Sequence, residues 1–278
     1  MDRSALALPR SVLLALWLAE SGAGPVQRTL DAVQGEDEPH RVAVGASAAG
    51  SAAPHAGVDP VPGTEPDATL ADLVAAWASG PRAVAAVLPV PGDPAGTPAA
   101  VAGVAQSAGE AVLVSTPDGD WAAVPEVQEF GSVYERGHQV TWRVHAVPAW
   151  RTALVGGLGS LADAEHDLTR ALARATEALV SLDVARWRPE AAERIAALRG
   201  GTDPGWLLPS GLEPRRVRVL TTAVRLRGIV DLAATDDGAA VNLWQADQRS
   251  TALRDVDHAA RRALAVATHP GPDDGPRP

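Results

Sequence analysis

The densest set of residues able to do chemistry is a group of arginines in the last third of the chain. A guanidinium group binds carboxylates and phosphates bidentately, so one interpretation is a site for phosphate, nucleic acid or an acidic protein partner. The other interpretation is structural, because the chain carries 34 carboxylates that can pair with these groups. The five candidate partner-binding residues fall within a stretch of 13: Arg215, Arg216, Arg218, Arg225 and Arg227.

The arginine-rich segment is predicted to be a helix from Pro214 to Ala234, with Pro214 suited to its first position. Apolar residues occupy most of the surface that the arginines leave, and such a helix is usually central in a bundle. Its arginines then reach outward along their aliphatic stems or pair with carboxylates. Helical spacing places Arg215, Arg218 and Arg225 on one side.

Several chemistries are excluded because the residues that they need are absent. All 24 basic residues are Arg, so no lysine can serve a P-loop or a Schiff base. The chain has no cysteine, which excludes a thiol nucleophile, a thiolate zinc site, an iron–sulfur cluster and a disulfide. The seven His show no zinc spacing, and no G-x-S-x-G motif occurs. We expect no cofactor, no metal and no catalytic residue.

Two further segments have a functional and a structural interpretation. Glu36, Asp37, Glu38 and His40 can grip a hard cation or form a solvated acidic turn. The loop 91–96 lies between a predicted strand and a predicted helix, where phosphates often bind. Its spacing matches neither the dinucleotide fingerprint nor the P-loop, which favours a plain connection.

Charge is unevenly distributed along the chain. Residues 1–150 carry 7 Arg and 17 carboxylates, whereas residues 151–278 carry 17 of each. An acidic first half disfavours contact with nucleic acid or an anionic membrane surface. It can complement the arginines of the second half, within one chain or between chains. The partner is therefore predicted to be an unknown protein or a second copy, and nucleic acid is unfavoured.

The N-terminus has two interpretations. Arg3 and Arg10 precede the apolar run 11–19, as in a signal peptide, and small residues at 21–24 resemble a cleavage region. The alternative is an amphipathic helix that opens a folded domain and is followed by a second helix ending near Gly35. We favour the second interpretation and a cytoplasmic protein; a secreted protein is the alternative if residues 1–24 are a signal peptide. No apolar stretch is long enough to span a membrane.

The first half is predicted to contain a small mixed sheet. Asp67 is the predicted N-cap of a helix that ends at Gly80. A β-α-β unit with a right-handed crossover is expected, followed by two more strands. Pro117-Asp118-Gly119 supplies a turn between two of the strands. The predicted strands are His40–Val44, Ala83–Val90, Ala111–Thr116, Trp121–Val127 and Gln139–Val147, and a helix is predicted over Ala99–Ala108.

From Ser160 the pattern changes to long helices. Ser160 and Asp163 form a variant of the capping box. An apolar seam follows through Leu161, Leu168, Leu172, Ala175, Leu179 and Leu182. Further helices are predicted from Pro189 to Gly200, from Pro214 to Ala234 and from Ala239 to Thr268. Short connections between four helices indicate a bundle.

The predicted fold class is α+β: a small mixed sheet with flanking helices, followed by a helical bundle. The eight Trp are spread about one per element, which favours core anchors over a stacking platform. The predicted organisation is an N-terminal helical segment (1–44), a disordered Ala/Gly/Pro linker (45–66), a small α/β sheet module (67–150), a helical bundle (158–268) and a disordered tail (269–278).

Three regions resemble uncharacterised proteins of high-GC actinobacteria. These are the stretch around Glu38-Pro39-His40, the loop Pro89-Val90-Pro91-Gly92-Asp93 and the arginine-rich helices near the C-terminus. The resemblance extends over most of the chain outside the linker, and it implies no established activity and no functional residue.

The sequence favours a non-catalytic binding or interaction protein that uses its arginine-rich helical half. One alternative is an enzyme with a cleft site built from Asp, Glu or His. The other alternative is a nucleic-acid-binding protein that uses the segment from Arg215 to Arg227, which would show steep salt dependence.

Overall fold

The computed structural model describes residues 8–20, 26–45, 63–132, 136–181, 207–235 and 243–269. The chain forms two compact units. The first, the sheet unit, comprises residues 9–158, 207–211 and 268–278, and the second, the helical unit, comprises residues 1–8, 159–206 and 212–267. The predicted linker, the helix predicted from Pro189 and the predicted tail lie almost entirely outside the described residues.

The sheet unit is built on one mixed sheet, as the sequence predicted, and it has five strands because the segment 41–44, which the sequence assigned to the N-terminal helical segment, joins it. The spatial order of the strands is β1-β5-β4-β3-β2. β1 runs parallel to β5, and every other neighbouring pair is antiparallel. The strands are β1 (Arg41–Val44), β2 (Ala83–Val87), β3 (Ala111–Thr116), β4 (Gly119–Gly131) and β5 (Arg136–Ala146).

The predicted β-α-β unit is wrong, because β2 and β3 pair in antiparallel register, with Val84 opposite Val114. The connection between them contains a 3-10 turn (Ala99–Val101) and the helix α4 (Ala102–Ala108). A parallel crossover must return the chain by a full strand length, about 16 Å for five residues. The seven residues of α4 rise by only about 10 Å, so the helix does not carry the chain back to a parallel start.

Three N-terminal helices and one later helix complete the sheet unit. They are α1 (Arg10–Ala19), α2 (Val26–Gln34), α3 (Leu70–Ala78) and α5 (Arg151–Leu158). α1 lies against β2, β3 and β4 and buries seven of its ten residues. The apolar run at the N-terminus is therefore part of the core. Four Trp are also core residues, as expected: Trp77, Trp121, Trp142 and Trp150.

Arg82 joins the C-terminal ends of α1 and α3. Its guanidinium donates to the carbonyl oxygens of Leu18 and Glu20 beside α1 and of Ala78 and Gly80 beside α3. The carbonyls at a helix C-terminus lack partners within the helix and carry partial negative charge, so a cation there satisfies both needs. Burial lowers the pKa of Arg82.

The N-cap of α3 is Thr69, and the predicted cap at Asp67 is wrong. Asp67 adopts a left-handed backbone conformation, φ 65°, two residues before the cap. The Thr69 amide and hydroxyl donate to Asp72 Oδ2 at 2.8 and 2.7 Å, which completes a capping box. The capping box is formed by the sequence T-x-x-D, which starts at Thr69, two residues after the predicted cap Asp67.

The helical unit contains α6 (Leu161–Ser181), α7 (Pro214–Thr235) and most of α8 (Leu243–Thr268). The predicted capping box is confirmed, since Ser160 N donates to Asp163 Oδ2 at 2.9 Å and Asp163 N donates to Ser160 Oγ at 3.1 Å. The predicted seam is wrong at Leu172, which is 44% exposed. The buried face of α6 runs instead through Ala164, Leu168 and Ala171. Two of these three residues are alanines, so a seam predicted mainly from the spacing of leucines does not include them.

The capping box of α3 makes stability depend on pH. Hydrogen bonds from Thr69 lower the pKa of Asp72 below its ordinary value of 3.8. A depressed pKa contributes stability that is complete above 3.8 and is lost as pH falls through the folded-state value. We expect Asp72→Ala to lower the melting temperature by a few degrees at pH 7, and the difference from wild type to vanish in acid.

Thermal unfolding followed by circular dichroism at pH 7 and at pH below 3 tests this expectation. Thr69→Ser keeps the hydroxyl and the box, so it should behave as wild type. An Asp72→Ala deficit of equal size at both pH values would contradict the account.

Candidate functional site

The five candidate arginines all lie on α7, which begins with Pro214 at its first position. Proline suits this position because its missing N–H would have no helical partner there. α7 packs against α6 in the helical unit. The helix buries apolar residues on a broad face: Val219, Leu220, Ala223, Val224 and Leu226. The arginines lie around this face, and their surroundings differ.

Arg215 is held by Glu165 of α6. Both Nε and Nη2 of Arg215 donate to Glu165 Oε2, at 2.9 and 2.7 Å. The hydrogen bond and the charge of Glu165 raise the pKa of Arg215. Arg215 therefore links α7 to α6.

Arg216 reaches the last turn of α8. Its Nη1 donates to the carbonyl oxygen of Ala267 at 3.0 Å. This oxygen lies one residue before the end of α8, where carbonyls have no helical partner. A guanidinium at this point satisfies the acceptor and complements the helix dipole.

Arg227 belongs to a group of charges shared by α7 and α8. Its Nε lies 3.5 Å from Asp257 Oδ1, an ion pair without hydrogen-bond geometry. Asp257 Oδ2 accepts a 2.6 Å hydrogen bond from Arg261, whose side chain is 4% exposed. The pKa of nearby Asp231 is raised above its ordinary value, mainly by burial and also by the charge of Asp257. The charge of Arg227 acts in the opposite direction and lowers this pKa. Arg227 thus offsets two carboxylates that would otherwise repel each other.

Two more ion pairs connect α6 and α8. Arg262 Nη1 lies 3.0 Å from Asp167 Oδ2, and Arg174 Nη1 lies 3.5 Å from Asp255 Oδ2. Together with the contacts of Arg215, Arg216 and Arg227, these pairs connect the three helices that the structure describes in this unit.

Arg218 and Arg225 differ from the other three. Both are exposed, and neither has a hydrogen bond or an ion pair with the described part of the chain. Seven residues separate them, so they lie on one face of α7, two turns or about 10.5 Å apart. Thr222 lies between them and is also exposed. We call these three residues the α7 stripe.

A groove runs between α6 and α7 beside this stripe. Its volume is about 480 Å³, and Arg218, Val219 and Thr222 form its α7 side. Glu165, His166 and Thr169 contribute polar groups from α6. Because Glu165 is already paired with Arg215, the charge that Arg218 brings to the groove is not balanced by it. The groove can accept an acidic or hydrogen-bonding side chain, and nothing in it supplies a nucleophile with a matched base.

The sheet unit contains a separate acid–histidine cluster. The sequence indicated only its Asp37 and His40, as a cation site or a solvated turn, and missed its other two members. Asp37 lies at its centre: Oδ2 is 2.7 Å from Arg10 Nη2 and 3.4 Å from His40 Nε2, and Oδ1 is 3.3 Å from His138 Nδ1. Arg10 begins α1, and His138 lies on β5. The Asp37-to-His40 spacing was visible in the sequence, but no local pattern connects it to Arg10 or His138.

The hydrogen bonds define the protonation of His40. Trp142 Nε1 donates to His40 Nδ1 at 3.1 Å, and an indole nitrogen is a donor only. Nδ1 must therefore present a lone pair, and the proton of the neutral ring lies on Nε2, facing Asp37. His40 is completely buried and both ring nitrogens are engaged, so neither is placed to take a proton from a ligand. The cluster joins α1, β1 and β5 and serves the fold.

The described residues were also compared with the requirements of a metal site and of a membrane-spanning helix. Within the described ranges, no group of three or more His, Asp or Glu has an arrangement suited to a metal ion. None of the helices in the described ranges is long and apolar enough to cross a membrane.

Fold and site define a protein with a five-stranded mixed sheet, a helical C-terminal region and an arginine-bearing groove between two helices. The chain belongs to the Rv1486c-like protein family. Residues 11–155 match its N-terminal domain and residues 162–265 match its C-terminal domain. No curated protein and no solved structure matched the chain. The family description names no activity, which agrees with the resemblance to uncharacterised proteins found in the sequence.

Arginines with internal contacts should contribute more to stability than exposed arginines of the same helix. We expect Arg227→Ala to lower the free energy of unfolding by about 1–2 kcal/mol, because Asp231 and Asp257 lose the cation between them. Arg218→Ala on the exposed face should change it by less than about 0.5 kcal/mol. Urea unfolding of both variants measures the difference, and equal effects would contradict the assignment.

The Asp37 cluster makes a second stability prediction. Asp37→Asn removes the charge that holds Arg10 and should destabilise the protein by about 2 kcal/mol. Glu38→Gln is a matched control, since it removes an exposed carboxylate one residue away and should have little effect. If the two variants unfold at the same urea concentration, the cluster does not stabilise the sheet unit.

Proposed function

We propose that the protein acts by binding another protein, without catalysis, and that the α7 stripe is the contact surface. The candidate residues then divide by role. Arg218 and Arg225 contact the partner, whereas Arg215, Arg216 and Arg227 hold α7 in place. The observation that carries the proposal is the exposure of two cations on one face beside a polar groove, while the other three cations of the same helix are engaged.

The chemistry of the stripe favours an acidic protein segment as the partner. Two arginines on one face of a helix, two turns or about 10.5 Å apart along its axis, match two carboxylates with the same spacing on a partner helix. A side chain from such a segment can enter the groove next to Arg218. Guanidinium groups are also over-represented at protein interfaces because their planar fork gives directional hydrogen bonds.

The alternatives have less support. A nucleic-acid surface needs a continuous basic patch, but Glu165 and the exposed Glu213 flank the stripe, and the chain has a net charge of −10. An enzyme with an Asp, Glu or His cleft needs an available base. The acid–histidine cluster around Asp37 has its His40 nitrogens occupied. In the groove between α6 and α7, the Thr169 hydroxyl donates to the Glu165 carbonyl at 2.9 Å, so it does not donate to the neighbouring His166.

We also propose a cytoplasmic location and a division into two domains near residue 158. The burial of α1 supports the first proposal, because removal of residues 1–24 would take seven buried residues from the sheet unit. Secretion remains the alternative. Sequencing the N-terminus of the mature protein tests it: a chain beginning near residue 25 would contradict the cytoplasmic proposal.

The test of function is comparative capture with charge reversals. We expect Arg218→Glu with Arg225→Glu to lose the proteins that the wild-type chain retains, with no change in melting temperature. The control is Arg170→Glu with Arg254→Glu, which changes net charge equally at exposed positions on α6 and α8. Identical protein sets from all three baits would contradict the proposal.

Two defined probes complete the test. A labelled helical peptide with Glu residues seven apart should bind wild type and the control, and it should bind the stripe variant at least about tenfold more weakly. A labelled DNA duplex at low salt should give no signal. Binding of the duplex with a steep salt dependence would favour the nucleic-acid alternative instead.

A further inference from the structure

Among the described residues, both outer strands of the sheet have hydrogen bonds on their outward side, whereas part of β4 has a strand on one side only. At β1, Val42 N donates to the Ala68 carbonyl and Leu70 N donates to the His40 carbonyl. At β2, Ala86 N donates to Thr268 Oγ1 at 2.9 Å. Edges with unpaired backbone groups are sites where another chain can add a strand, and proteins usually cover them.

The open edge belongs to β4. β3 pairs with β4 only from Gly119 to Ala123, whereas β5 pairs with β4 as far as Gly131. Beyond Ala123, no described segment other than β5 pairs with β4. Residues 126–131 are all exposed. In the part of the chain that the structure describes, β4 and β5 therefore form a two-stranded arm, and one side of this arm has no strand paired to it.

Backbone alternation shows which groups face the open side. Val147 N donates to the Asp120 carbonyl, so even-numbered residues of β4 direct their N–H and C=O groups toward β5. Odd-numbered residues direct theirs the other way, toward β3 and then toward the open side. These residues are Pro125, Val127, Glu129 and Gly131. Pro125 has no N–H to offer and marks the start of the usable edge.

We propose that this edge pairs antiparallel with the same edge of a second copy, with the two-fold axis between the two Gln128 residues. In this register Val127 lies opposite Glu129 of the other copy, and Pro125 lies opposite Gly131. About six backbone hydrogen bonds result, and the whole open edge is used. The missing Pro125 N–H costs only the outermost bonds.

Charge and the number of available backbone partners favour this register over its two neighbours. An axis at Glu129 places two carboxylates directly opposite each other, which is destabilising. An axis at Val127 pairs Glu129 with Pro125 and leaves Gly131 without an open partner, because Ala123 already pairs with β3. With the axis at Gln128, Glu126 faces Phe130 and no carboxylate faces another. The exposed side chains of Phe130 and Val127 would be partly buried by the second copy. The interface lies in the sheet unit and is independent of the α7 stripe.

Proline substitution tests the edge selectively. Val127→Pro removes an outward N–H and leaves the hydrogen bonds to β5 in place. Sedimentation velocity across the micromolar range should show a dimer for wild type and for the control Val127→Thr. The dissociation constant of Val127→Pro should rise by about tenfold or more. A wild-type chain that stays monomeric throughout, or a dimer that Val127→Pro leaves unchanged, would overturn the proposal.

A second test does not depend on tolerance of proline. Because the chain has no cysteine, Gln128→Cys introduces a single thiol. Residues that face each other across a non-hydrogen-bonded pair lie about 4.5 Å apart at Cα, within the range for a disulfide. Mild oxidation should link two copies through residue 128, whereas Asp118→Cys at the exposed β3–β4 turn should remain unlinked. Equal cross-linking of both variants, or of neither, would contradict the register.

Discussion

A guanidinium group keeps its charge at any pH at which a protein folds, because its pKa lies far above neutral, even where burial lowers it as at Arg82. An arginine near a core must therefore find a carboxylate or a carbonyl, or keep its head in water. This constraint organises both units of the protein. In the helical unit, Arg215, Arg216 and Arg227 meet groups from α6 and α8. In the sheet unit, Arg10 meets Asp37, and Arg82 meets the carbonyls that end α1 and α3.

Once internal partners are assigned, Arg218 and Arg225 remain exposed on α7, and these are the residues that we propose contact a partner. Arg218 and Arg225 are next to residues that are tied down, on the same helix and within the same few turns. These contacts hold α7 against α6 and α8, so a partner that bound the proposed stripe would lose less conformational entropy than one that had to order the helix. The same reasoning applies to the backbone groups on the open edge of β4. N–H and C=O groups that have no partner within the sheet are groups with which another chain can form hydrogen bonds.

Much of the fold could be predicted from local patterns. β3 has the predicted ends, and the Ser160 capping box was visible as four consecutive residues. The direction of the strands could not be predicted from local patterns. The antiparallel pairing of β2 with β3 depends on how far the short helix between them carries the chain. The arginine cluster was visible in the sequence, but its division into engaged and exposed members was not. Arg215 meets a glutamate 50 residues away, and His138 meets an aspartate about 100 residues away.

The central claim, that α7 holds some arginines internally and presents others, is tested most directly by side-chain NMR of arginine Nε–H groups in the free protein. Arg215 Nε donates at 2.9 Å to Glu165 and should show slow hydrogen exchange and restricted motion. Arg218 and Arg225 should exchange rapidly and move freely. Equal protection of all three, or protection of Arg218 and Arg225 with a mobile Arg215, would contradict the account.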